Sequence, residues 1–172
     1  MMDAFRRLGL PRRFTIDHEQ LEKAYLTHSR AVHPDYHLAG ASADLNASLE
    51  LSAEINEAYN TLREPFRRAE HLLRLEGGPS ASEQKQLPAA FLTEMLEARE
   101  EIERARGHPE EQQVLEARFR QQYESLMNDI AAIFEQLDNT NSPQRANQLA
   151  QIRTLLNAAQ YIRGLIRDLH TD

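Results

Sequence analysis

The sequence of 172 residues has no cysteine, no tryptophan and only six glycines. Without cysteine there is no disulfide framework and no thiolate metal site, which suits a reducing compartment. No apolar run approaches the roughly 20 residues that cross a bilayer. Residues 1–10 carry Asp3, Arg6 and Arg7 where a secretory signal needs an apolar core. Cytoplasm is therefore the expected location. Basic side chains are in deficit, 20 Lys and Arg against 27 Asp and Glu, and the net charge of −7 disfavours generic binding to nucleic acid or an anionic membrane. A phosphate-cradling loop is missing too, because Gly77-Gly78 is not followed by Lys and Ser or Thr. Nothing alternates as a strand, so the chain reads as all-α.

What is present is a set of amphipathic helical patterns. Leu21, Tyr25, His28 and Val32 recur at spacings of 4, 3 and 4, one face of a helix. Asp17 is a plausible cap, with Gln20 three residues on. Pro34 disfavours helical dihedrals at His33 and ends the pattern. Downstream, Leu51, Ile55, Ala58, Tyr59 and Leu62 form a second apolar stripe. His33-Pro34-Asp35 thus belongs to a connection between two helices packed side by side. A histidine and an aspartate pinned by a proline on such a loop can donate and accept hydrogen bonds with little ordering entropy on docking.

The tripeptide and its flanks resemble a J-domain, the module that stimulates heat-shock ATPases of the DnaK type. Phe5, Leu8-Gly9-Leu10-Pro11, Phe14 and Asp17 resemble the short first helix and the turn into the second. Ile55 to Leu62, reading INEAYNTL, resembles the third-helix signature, and Pro65, Arg67, Arg68 and Ala69 resemble the segment after that helix. The resemblance implies an ATPase-binding surface made of His33, Pro34 and Asp35 with Lys23 and Arg30. Two departures stand out: Tyr36 where a basic residue is common, and His28 on the core stripe where leucine is usual. A buried neutral histidine there needs a hydrogen-bond partner or a local rearrangement.

The J-like pattern fills residues 1–76, with net charge −2, and the remaining residues carry −5. Gly77-Gly78-Pro79-Ser80-Ala81-Ser82 and the polar stretch after it read as a linker over 77–88. Three long helical patterns occupy 89–172: about 89–106, 110–137 and 144–169, separated by Gly107-His108-Pro109 and by Asp138 to Pro143. Short connections between long helices predict an antiparallel three-helix bundle. A coiled-coil dimer is the weaker reading, because these breaks favour folding back.

The first bundle helix has two apolar faces. Phe91, Met95, Ala98, Ile102 and Ala105 form a core stripe. Leu92 and Leu96 lie roughly 100–140° away from it, with Glu100 continuing their row and Glu97 beside it. Helical geometry leaves two readings open: an exposed apolar patch with an acidic rim, or packing against the linker or the first domain. An acidic run early in a helix also complements its dipole.

Ala90-Phe91-Leu92, Leu96-Glu97-Ala98-Arg99-Glu100-Glu101 and Leu137-Asp138-Asn139, downstream of a J-like domain, resemble the HscB family of iron–sulfur co-chaperones. The resemblance covers almost the whole chain. It implies no enzymatic chemistry and no cofactor in the chain itself, an HscA/DnaK-type ATPase as one partner, and an IscU-type iron–sulfur scaffold as the other. The implied scaffold-binding residues are Leu92, Leu96, Glu97, Glu100 and, from the last helix, Tyr161. Thr93 departs from a position where the family carries an apolar residue, Arg104 from an acidic one, and the Asp138–Tyr161 spacing exceeds the family pattern by about two helical turns. The alternative reading is a J-domain protein for a different client, with the bundle as a generic docking module.

Two further readings of the histidines fail on chemistry. His33, Asp35 and His37 offer three metal-ligand types in five residues, but His28 points to the core on the helical phase and leaves no fourth ligand. His33 and Asp35 flank a proline and have no forced relation to a nucleophile such as Ser29.

Overall fold

Asp3 starts the fold by capping a single helical turn, α1 (Ala4–Arg7), accepting from the N–H groups of Phe5 and Arg6 at 3.1 and 3.3 Å. The computed structural model describes residues 3–32, 42–137 and 142–170, and the side chains of all of these except 42–45 and 142. Seven helices and no strand occur among the described residues. They fall into two units, Met1–Leu75 and Glu76–Asp172.

In the first unit, Asp17 Oδ1 accepts from the N–H groups of Glu19 and Gln20 at 2.8 and 3.3 Å and opens α2 (His18–Val32). The helix ends two residues before Pro34, as the proline requires. α3 (Ser42–Arg63) runs back along it. Glu22 meets Tyr59, Tyr25 meets Asn56, and the Ser48 hydroxyl donates to the Val32 carbonyl, so the contacts run in opposite directions along the two helices. Glu64 then caps α4 (Pro65–Leu75), accepting from Phe66 and Arg67 N–H at 3.1 and 3.0 Å. Pro65 suits the first helical position, where its missing N–H costs nothing.

Of the predicted apolar stripes, Leu21, Ile55, Ala58 and Leu62 are buried and Tyr25, Val32, Leu51 and Tyr59 half-buried, and Phe5 of α1 joins the core. Periodicity gave no sign of the buried polar groups. Arg68 is buried, donates to the Leu62 carbonyl at 2.9 Å, and lies over the Phe14 ring with 5.0 Å to its centroid. His71 is buried and accepts the Ala4 N–H at Nε2, 3.0 Å away, tying α4 to α1. His28, expected in the interior, is only half-buried. A Cβ on Gly9, whose φ is +65°, would come within 3.9 Å of its ring, so the left-handed turn after α1 lies against the imidazole.

In the second unit, α5 (Ala89–Arg104), α6 (Pro109–Gln136) and α7 (Ser142–Asp168) form the expected bundle. α5 closes at Gly107, where φ is +77°, a conformation glycine reaches without strain, and Pro109 begins α6. Met95, Ala98 and Ile102 of α5 pack with Phe119 of α6 and with Ile162 and Leu165 of α7. The stretch expected as a linker is bonded to α7. The Gln84 side-chain amide donates to the Ala150 carbonyl and to Thr154 Oγ1, both at 2.8 Å, and its backbone carbonyl accepts from Asn157 at 2.8 Å. Arg145 bridges the Glu76 carboxylate and the Leu137 carbonyl.

Candidate protein-docking surfaces

His33, Pro34 and Asp35 lie outside the described residues, and so does His37. What the structure gives is the hairpin end that carries them. Ser48 occupies the last carbonyl of α2, which satisfies one of the acceptors that a helix terminus leaves open. Lys23 and Arg30 are exposed on α2, with Leu26, 47% exposed, on the same face. Together with His18, Glu19, Glu22 and Thr27 they line an open depression of about 600 Å³. Glu22 is turned toward Tyr59, whose hydroxyl donates to its carboxylate. Among the described residues no three histidine or carboxylate side chains gather as metal ligands.

On α5, Leu92 is 42% and Leu96 63% exposed. The direction in which the pair faces is set by the two borders of the helix. Along one border, Glu94 accepts from Gln122 at 2.8 Å and Glu101 pairs with Arg118, so that side is the seam with α6. Along the other, the Phe91 ring meets Tyr161 edge-on with 6.3 Å between centroids and 87° between planes. There too the Arg99 guanidinium lies over the Tyr161 ring, 5.4 Å from its centroid. That side is the seam with α7.

At about 100° per residue, Arg99 falls between the buried stripe and the leucine pair, and Leu92 and Leu96 are therefore on the α7 side. Tyr161 shares that border, half-buried among the core residues and in reach of Phe91 and Arg99. Glu97 and Glu100 point outward, exposed, and form no ion pair among the described residues. The five glutamates of α5 thus divide by position: Glu94 and Glu101 bind α6, Glu103 pairs with Arg106, and Glu97 and Glu100 remain in solvent.

Reading the sequence gave Arg99 no role in the docking face. Its signal was present, since it stands three residues beyond Leu96 and seven beyond Leu92 on the same helical face. Thr93 sends its hydroxyl back to the Ala89 carbonyl at 3.2 Å, and Arg104 donates to the Glu100 carbonyl at 3.2 Å. Both departures from the family pattern are spent on the helix's own backbone.

Comparison with known proteins identifies the family and the fold. The family model described as the HSCB C-terminal oligomerisation domain matches residues 87–170. A co-chaperone protein HscB homolog of Chromobacterium violaceum is 37% identical over 131 residues, which are 76% of this chain and 75% of that one. The chaperone HscB from Vibrio cholerae superposes with a TM-score of 0.71 at 25% identity, over 98% of this chain and 95% of that chain. The human co-chaperone protein HscB has the same fold, with a TM-score of 0.82 at 22% identity over 98% of this chain and 81% of that one. With more than two thirds of its length shared at 37% identity, and with the J-type hairpin and acidic bundle both in place, the chain belongs to the HscB family of co-chaperones.

Proposed function

We propose that the protein is a bivalent adaptor between a heat-shock ATPase of the HscA type and an IscU-type iron–sulfur scaffold, acting in the cytoplasm. His33, Pro34 and Asp35, with Lys23 and Arg30, engage the ATPase and favour its hydrolysis-competent arrangement. The bond-breaking chemistry belongs to the ATPase. Leu92, Leu96, Glu97, Glu100 and Tyr161 hold the scaffold. The observation that carries this reading is the exposed leucine pair next to Tyr161, flanked by two carboxylates that have no use inside the bundle. An apolar centre with a polar rim is the usual anatomy of a protein-docking face.

Joining the two sites in one chain converts the second binding event into a local one, so two modest affinities act together. By linkage, any preference of the adaptor for one nucleotide state of the ATPase shifts the ATPase toward that state by the same factor. The test is a pair of variants assayed on both partners. His33→Gln is expected to abolish ATPase stimulation and leave scaffold affinity as it was. Leu92→Ala with Leu96→Ala is expected to do the reverse, each truncation removing about 1–3 kcal/mol of apolar contact. Unchanged scaffold binding in the double variant would show that the bundle serves some other client.

A further inference from the structure

We infer that Arg99 is a positioning residue of the scaffold-docking face, acting through Tyr161; the inference rests on the docking role proposed for that face. Tyr161 is the one member of the face contributed by α7, and its ring orientation is not fixed by burial, since it is only half-buried. Two groups of α5 define it instead. Phe91 meets the ring edge-on from the core side, and the Arg99 guanidinium covers one ring face at 5.4 Å. A cation over an aromatic face is attracted by the ring quadrupole, and the planar guanidinium also stacks, so the contact restricts the rotation of the ring as well as its position.

Arg99 has no ion pair among the described residues, although five glutamates share its helix. The glutamate one turn on along its own side of the helix, Glu103, is paired with Arg106 at 3.0 Å, and Glu94 and Glu101 lie on the opposite, α6 side. The guanidinium therefore stays on the ring, between the buried stripe and the leucine pair. In this position it stands, on the helical phase, between Leu96 and the side of α5 that meets Tyr161. A ring held in place before docking loses less rotational freedom when the partner arrives.

The experiment is a double-mutant cycle on Arg99 and Tyr161 with purified IscU-type scaffold as the probe. Arg99→Gln is expected to weaken scaffold binding by roughly three- to tenfold, and Arg99→Lys, which keeps the cation, by less. In a Tyr161→Leu background, Arg99→Gln is expected to have almost no further effect. The same loss in both backgrounds would mean that Arg99 contacts the scaffold on its own account, and would overturn the inference. A second readout needs no partner: in the free protein, Arg99→Gln should shift the Tyr161 ring-proton resonances and leave those of Tyr123 in place. Unmoved Tyr161 resonances also overturn it. If Leu92→Ala with Leu96→Ala leaves scaffold binding intact, the docking reading is at fault, and the resonance measurement still decides the role of Arg99.

Discussion

Tyr25 of α2 stacks on Tyr59 of α3 with 4.3 Å between ring centroids and 26° between planes, and each hydroxyl crosses to the opposite helix. Tyr25 donates to Asn56 Oδ1 at 2.9 Å, and Tyr59 donates to the Glu22 carboxylate. Arg63 lies over the outer part of this pair, 5.9 Å from the Tyr59 centroid. Two rings and two hydroxyls thereby fix how far one helix of the hairpin is advanced along the other. A slide by one turn would separate all four groups at once.

The stack and the hydroxyl contacts can be separated by mutation. Tyr59→Phe keeps the ring and loses only the exposed contact with Glu22, which is expected to cost under about 1 kcal/mol. Tyr59→Ala removes the ring as well, and is expected to cost about 1–3 kcal/mol, because aromatic pairs add to what their burial contributes. Urea unfolding of the two variants, followed by circular dichroism, gives both numbers. Equal losses would mean that the stack itself contributes nothing.

Acid sensitivity of the first unit should be set by His71. Burial pushes its pKa below the ordinary 6.5, the neighbouring Arg74 pushes the same way, and Asp3 opposes them. Its Nε2 accepts the Ala4 N–H, and a protonated ring could not. The unfolded chain therefore binds a proton that the folded protein refuses, and between the lowered value and 6.5 stability rises with pH. Stability is expected to be full above 6.5 and to decline as the solution is acidified toward the folded pKa. Asp3 responds later. Its partial burial disfavours the charge, but the Arg12 hydrogen bond and the Arg6 N–H outweigh that and hold its pKa below 3.8. Its contribution is present above 3.8 and is lost only in stronger acid. Unfolding midpoints of wild type and His71→Gln across this range test the order. A variant that keeps the same slope between neutral and mildly acidic solution would remove His71 as the cause.

How much of this was legible in the sequence depends on the physics of each feature. The core stripes of α3 and α5 and the breaks after Val32 and at Gly107 were legible, because periodicity and proline or glycine chemistry act within a few residues, whereas α7 begins at Ser142, inside the stretch expected as a turn. The outward phase of Leu92 and Leu96 was legible as an angle. The identity of the neighbouring helix was not, because it depends on contacts across about 70 residues of chain, such as Phe91 to Tyr161. Gln84 gave no sign of its three bonds to α7, since a surface glutamine and a docked one look alike in sequence. Arg68 and His71 interrupt an apolar pattern, and only the fold reveals the Leu62 carbonyl and the Ala4 N–H that satisfy them.

The acidic residues of α5 provide the sharpest separation between holding the bundle and meeting a partner. Glu101 is engaged by Arg118 on the α6 seam, whereas Glu97 and Glu100 face solvent. An exposed ion pair contributes at most about 1 kcal/mol, so Glu101→Gln is expected to lower stability slightly and to leave scaffold binding where it was. Glu97→Gln with Glu100→Gln removes two charges that repel their surroundings within one helix, so stability should hold or rise by about a few tenths of a kcal/mol. Their loss should appear in association, because rim charges act chiefly on encounter rates and are screened by salt. Stopped-flow association with the scaffold at low and physiological ionic strength resolves this. Wild type should slow as salt rises, and the doubly neutralised variant should be slower at low salt and nearly flat. A variant with the wild-type salt response would place the attractive charge elsewhere on the bundle, and would limit the docking face to its leucines and Tyr161.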